Sequence, residues 1–190
     1  MKVKHNISVG LVHWPVVDRL GKTVATNVTN FDIHDIARCC RTYGVKKYYI
    51  INKVQEQLMF VSRVLEHWNT GQGSEFNPMR RTALGMVETA VSVDDVLSKM
   101  DEQEEPLVVT TAARSMTESP GVSFRDLREH LAQGRPVLLL FGTGFGLHED
   151  VLAQSGRILE PIHGASEDEY KHLSVRSAVS ICLDRLLGSW

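Results

Sequence analysis

Val137-Leu138-Leu139-Leu140-Phe141 is an unbroken apolar run, closed by Pro136 on one side and Gly142 on the other. A strand with one wet face alternates apolar and polar residues. One that does not alternate is covered on both faces, as the inner strands of a parallel sheet are. Parallel neighbours cannot be joined by a tight hairpin, so such a chain needs crossover segments, usually helices. The remaining sequence supplies them. Ile7 to Trp14 is β-rich and predicts a first strand. A loop from Pro15 to Thr29 leads to a helix with Asn30 or Asp32 as N-cap, apolar Ile33, Ile36, Ala37 and Cys40 at helical spacing, and Gly44 as its stop. Lys47 to Asn52 predicts the next strand, Val54 to Trp68 a helix, Asn69 to Pro78 a polar loop, and Gly85 to Ser92 a strand. Asp94 to Met100 then reads as helix, Leu107 to Ala112 as strand, Phe124 to Gln133 as helix capped by Ser123, Arg157 to Ile162 as strand and Val175 to Leu187 as helix. This order predicts an α/β fold, an open, mostly parallel sheet with helices on both faces. No repeat or long linker divides residues 1–190, which read as a single domain.

The formal net charge is −2, but residues 1–50 hold eight Lys/Arg against three Asp/Glu, leaving −7 for residues 51–190. A local basic face for phosphates is therefore permitted, and ordinary solvated surfaces explain the same numbers. Cys39, Cys40 and Cys182 are odd in number and two are adjacent, which argues against a disulfide framework and for a reducing cytoplasm. There is no Cys-x-x-Cys pair and no apolar run of membrane-spanning length, so neither a metal nor a membrane partner is expected.

The strand at 137–141 empties into Gly142-Thr143-Gly144-Phe145-Gly146. Alternate glycines let the backbone turn tightly and approach a ligand closely. A dinucleotide site would want G-x-G-x-x-G opening a helix, with an acidic residue about 20 positions on. Here the third glycine comes one position early, although Glu160 stands near that spacing. Beyond it, Pro161-Ile162-His163-Gly164 ends a strand, and Tyr170-Lys171-His172-Leu173-Ser174-Val175 leads into the last helix.

These segments, in this order, resemble the SPOUT-class RNA methyltransferases. The resemblance implies a C-terminal trefoil knot, S-adenosyl-L-methionine as cofactor, RNA (in the first place tRNA) as partner, and a homodimer. It implies cofactor contacts at Gly142, Gly144, Gly146, Ile162, Gly164, Leu173 and Ser174, and at Thr111 and Ala112 on the strand that ends beside them. Asn30-Phe31-Asp32-Ile33-His34-Asp35-Ile36-Ala37-Arg38 resembles the first motif of the SpoU branch. Arg38 and Gly44 match its spacing, while Asp32 and His34 stand where that branch has Asn and Gly. Taken together, the pattern is most similar to a bacterial group related to tRNA guanine-N(1) methyltransferases.

Methyl transfer from a sulfonium needs an aligned acceptor and a base for its proton, but no metal. Asp32 and Asp35 are the candidate bases, with His34 a third. Their competing role is to cap the helix and complement its dipole. Arg38 would orient the acceptor or bind phosphate bidentately, or else pair with Asp35 on the helix surface. Arg80-Arg81, Arg41, Lys46 and Lys47 are candidate phosphate contacts, and Trp14, Trp68 and Trp190 could stack on bases, Trp68 being the better core candidate. Two other functions are open at this stage. One is an NAD-type oxidoreductase built on the glycine loop; the other is an RNA- or cofactor-binding module without catalysis.

Overall fold

The structure, a computed structural model, describes residues 5–100, 103–112, 120–168 and 170–189. Arg114, Trp190 and the start of the acidic run at Asp101-Glu102 lie outside them. Strand β1 (Ile7–Val12) leads to a small antiparallel hairpin, β2 (Val16–Val17) with β3 (Thr23–Val24), where a plain loop was expected. A π-helical turn, Asp32–Ile36, runs into α1 (Ala37–Tyr43), which Gly44 stops in the left-handed conformation at φ 71°. Then follow β4 (Tyr48–Ile51), α2 (Gln55–Asn69), α3 (Gln72–Phe76), α4 (Pro78–Leu84), β5 (Val87–Ala90) and α5 (Val93–Lys99). The second half comprises β6 (Leu107–Thr111), β7 (Gly121–Val122), α6 (Phe124–Ala132), β8 (Val137–Gly142), α7 (Glu149–Ala153), β9 (Arg157–Leu159) and α8 (Val175–Leu187).

Among the described residues seven strands form one sheet in the order β5-β4-β1-β8-β6-β9-β7, with every pairing parallel. Its central strand has the residues the run at 137–141 predicts. Val137, Leu139 and Phe141 enter one core with Ile33, Val61, Leu127 and Leu183, drawn from the π-helical turn, α2, α6 and α8. Leu138 and Leu140 enter a second core on the opposite face with Val96 of α5 and Val151 of α7. Helices therefore cover both faces, as expected.

The stretch from Asn69 to Gly85 departs from expectation. It holds α3 and α4 instead of a loop and the approach to a strand. Pro78 occupies the first turn of α4, where its missing N–H is harmless, and Asn77 Oδ1 accepts the Arg80 amide at 3.0 Å. Ala83 and Leu84 seat the helix in the first core. Ser123 caps α6 as expected, and Ser92 and Ser174 do the same for α5 and α8.

Candidate functional site

In a parallel sheet the carboxyl ends of all strands share one edge, and ligands bind where the chain changes direction along the sheet. Here that point is the centre. From β1 the chain moves outward through β4 to β5, while β8 pairs with β1 on one side and β6 on the other. Register Thr110↔Leu140 and Thr111↔Leu159 sets the ends of β8, β6 and β9 side by side. Gly142, Thr111, Ala112 and the segment leading to Ile162 and Gly164 therefore start from neighbouring strand ends. Thr111 Oγ1 donates to the Leu140 carbonyl at 3.0 Å, so its hydroxyl is engaged within the sheet. Ile162 packs against the first core, whereas Gly164, Leu173 and Ser174 are exposed. Ser174 Oγ accepts the Ser177 amide at 3.2 Å and so starts α8.

The glycine loop is tightly folded. A Cβ on Gly142 would lie 2.9 Å from Leu147 Cγ, and one on Gly144, at φ +62°, would lie 3.0 Å from the Val17 carbonyl. Gly146 has φ +124°. The amides of Thr143, Phe145 and Gly146 are bonded to Val12, Val17 and Thr143 carbonyls. The loop thus offers a ligand its backbone surface and remaining carbonyls, and only part of the amide array a sequence reading suggests.

Beneath the loop, hydrogen bonds determine a tautomer. Thr143 Oγ1 donates its one proton to the Val12 carbonyl at 3.0 Å. Thr26 Oγ1, 2.5 Å away, must then donate to Thr143, which leaves Thr26 only lone pairs for His13 Nδ1 at 2.9 Å. His13 therefore carries its proton on Nδ1. Burial pushes its pKa down to about 4 against the opposing pull of Asp32, so the ring is neutral at pH 7. Its Nε2 is then a bare acceptor, buried and with no partner among the described residues. Nothing in local spacing marks His13. Its position, at the end of a buried strand just before Pro15, is the only sequence cue.

The motif around Asp32 is equally specific. Asp32 Oδ2 accepts the Thr29 amide (3.1 Å) and hydroxyl (2.6 Å), and the Asp32 amide reaches Thr29 Oγ1 at 3.2 Å. Thr29, rather than Asn30 or Asp32, is the residue whose side chain takes up the first helical amide. Asp32 Oδ1 faces Arg176 Nη1 at 3.2 Å, and Arg176 Nε lies 3.7 Å from Asp35 Oδ2. The alternative Asp35–Arg38 pair does not form among the described residues; Asp35 faces Arg176 of α8 instead. Asp32 is 4% exposed; Asp35 and Arg38 stand at the surface. Burial and the nearby Arg80 charge, opposed by Asp35, lower the pKa of His34. Arg176 was absent from the sequence candidates because its partners lie 144 and 141 positions away. Lys47 is ion-paired with Glu88. No group of three or more His, Cys, Asp or Glu among the described residues could hold a metal ion.

A family model described as SAM-dependent RNA methyltransferase matches residues 6–188. A tRNA (guanine-N(1)-)-methyltransferase of Oleidesulfovibrio alaskensis is 42% identical over 185 residues, which cover 96% of this chain and 42% of that protein. A protein of Aquifex aeolicus is 36% identical over 189 residues, covering 98% of this chain and 90% of the relative. Among solved structures, TrmJ from Z. mobilis ZM4 aligns with TM-score 0.60 at 14% identity, over 94% of this chain and 67% of that one. The SpoU methyltransferase AviRb from Streptomyces viridochromogenes, in complex with AdoMet, aligns with TM-score 0.55 at 13% identity, over 96% and 57%. At such identities the likeness is one of fold. The dinucleotide alternative fails on geometry as well as on family. The helix after the glycine loop has five residues and begins beyond His148, so the loop does not open the long helix that motif requires.

Proposed function

The chain belongs to a family of SAM-dependent RNA methyltransferases, and on that premise we propose that residues 1–190 act as one domain that methylates tRNA with S-adenosyl-L-methionine. The observation that carries the reading is the meeting of three neighbouring strand ends with a loop in which Gly142 and Gly144 leave no room for a Cβ. Gly142, Gly144 and Gly146 would line one side of the cofactor. Thr111, Ala112, Ile162, Gly164, Leu173 and Ser174 would line the others. A Cβ at Gly164 would meet nothing within 4 Å, so that side is open to a ligand.

The cofactor supplies an electrophilic methyl group on sulfonium; the chain supplies orientation and a place for the acceptor's proton. Asp32, saturated by Thr29 and Arg176, acts as a positioning residue. Asp35, exposed and held only at 3.7 Å, is the proton acceptor, and Arg38 grips RNA phosphate. The trefoil knot and the homodimer that the resemblance implies belong to the same proposal. Exposed Phe31, Phe145, Tyr170 and Leu173 support a partner surface near the site. In α8, by contrast, Val179, Cys182, Leu183 and Leu186 are used in the chain's own core. Free thiols at Cys39, Cys40 and Cys182 accord with a reducing cytoplasm. The chain spans 42% of the length of this curated tRNA methyltransferase relative.

Calorimetric titration with S-adenosylmethionine, S-adenosylhomocysteine and NAD, followed by radiolabelled methyl transfer to total tRNA, tests the reading. Binding of the first two with label on tRNA is expected. Cofactor binding without label transfer reduces the protein to a binding module, and NAD binding alone overturns the site.

A further inference from the structure

A cleft of about 500 Å³ opens between the π-helical turn with α1, helix α2 and helix α4, and no residue of the glycine loop lines it. Its walls carry Arg38, Arg63 and Arg80 against one carboxylate, Asp35, which already faces Arg176. The excess positive charge calls for an anion. The aromatic content is equally marked. The Arg80 guanidinium lies 4.8 Å from the Trp68 ring centroid, and His34 meets the same ring edge-on at 5.5 Å. Phe31 is 66% exposed and Phe60 37% exposed at the rim. Exposed rings beside guanidinium groups are what an unstacked base and its phosphate require, since any base can stack and arginine suits phosphate geometry. The volume lies in the range of about 300–1,000 Å³ that holds a small organic ligand.

Two polar atoms in the wall, His34 Nδ1 and Arg80 Nε, are buried and have no hydrogen-bond partner among the described residues. Buried polar groups left unmatched are uncommon, and such atoms at a cleft wall fit a ligand that completes them. Burial, and then the neighbouring Arg80 charge, lower the pKa of His34 and favour the neutral ring, which holds one donor and one acceptor, the combination that reads a base edge.

We propose that this cleft binds one unstacked nucleotide of a single-stranded RNA segment, its phosphate on Arg63 and Arg80 and its base against the aromatic wall with His34 at its edge. This deepens the methyltransferase reading and rests on it for the identity of the substrate. Asp35 and Arg38, assigned above to the acceptor, also line this cleft.

The test uses the whole chain and a fluorescein-labelled single-stranded RNA octanucleotide of mixed sequence, with the matching duplex as control. Arg63→Gln with Arg80→Gln is expected to weaken single-strand binding at least tenfold and to lower the salt slope by about one per arginine removed. S-adenosylmethionine affinity is expected to be unchanged. Arg63 is exposed, so Arg63→Gln alone keeps the test valid should the double variant melt early. Single-strand affinity within twofold of the parent overturns the proposal. So does a variant that changes only the sedimentation coefficient, which would assign the cleft to a second copy of the chain. Absence of S-adenosylmethionine binding in the parent would defeat the methyltransferase reading and leave the RNA result legible on its own.

Discussion

Arg176 of α8 reaches back to Asp32, Nη1 to Oδ1 at 3.2 Å, and so ties the start of the last helix to a turn 144 residues earlier. The carboxylate is buried and the guanidinium 36% exposed, so water already screens part of the pair. Arg176→Met should lower stability by about 1–2 kcal/mol, because Asp32 keeps its Thr29 bonds but loses its counter-charge. Asp32→Asn should cost about 1 kcal/mol. Urea unfolding of both single variants and the double one checks this. A coupling of about 1 kcal/mol is expected, and strict additivity would mean the contact contributes nothing.

His13 makes stability depend on mild acid. Its folded pKa, about 4, lies below the unfolded value of 6.5, so the unfolded chain binds the extra proton. The stabilisation is complete above pH 6.5 and declines as pH falls toward 4, by up to about 3 kcal/mol. Lowered pKa values at His34 and His130 act in the same direction. His13→Asn, which can preserve the donor to Thr26, should flatten the dependence of the melting temperature between pH 6.5 and 4.5 without abolishing it. An unchanged slope would contradict the buried neutral ring.

Gly144→Ala places a methyl group 3.0 Å from the Val17 carbonyl at φ +62°. A loss of about 1–2 kcal/mol is expected from the backbone conformation alone. If the loop lines the cofactor, S-adenosylmethionine affinity should fall at least tenfold. Gly134→Ala, at φ +77° with nothing within 4 Å, supplies the control. It should lose stability and keep affinity. Equal affinity losses in both would remove the loop from the site.

Thiol titration probes the core. Burial raises Cys40 well above the ordinary thiol value and pushes Cys182 up to about 12, and Cys39 is raised too. At pH 8 the native protein should react with less than one equivalent of a thiol reagent within minutes, and in urea with all three cysteines. Rapid native reaction at two sites would show the α1–α8 packing to be looser than described.

What could be read from residues alone divides along physical lines. The run at 137–141 announces its burial on both faces, and α8 spans the expected Val175–Leu187, because strand burial and helical periodicity are local signals. Helix α4 escaped because Asn77-Pro78 starts a turn as readily as a helix, and only the burial of Ala83 and Leu84 decides between them. Strand β7, at two residues, has no period to detect. In the candidate site, glycines and strand ends could be found by pattern. His13 and Arg176 could not, since one is defined by a hydrogen-bond chain through two distant hydroxyls, Thr26 and Thr143, and the other by a partner across the fold.

The sheet also sets a timetable. Strand β1 pairs on one side with β4, but on the other with β8, as Ile7 opposite Val137 shows. At a synthesis rate of about 5–20 residues per second, the 130 residues between those partners (137 − 7) take roughly ten seconds to emerge. Throughout that interval the hydrogen-bonding edge destined for the centre of the sheet has no partner, and β6 has no seat. The nascent chain therefore carries an open, apolar edge that only its own late-made strand can close. Ribosome-stalled chains ending before residue 137 should accordingly be protease-sensitive and prone to self-association.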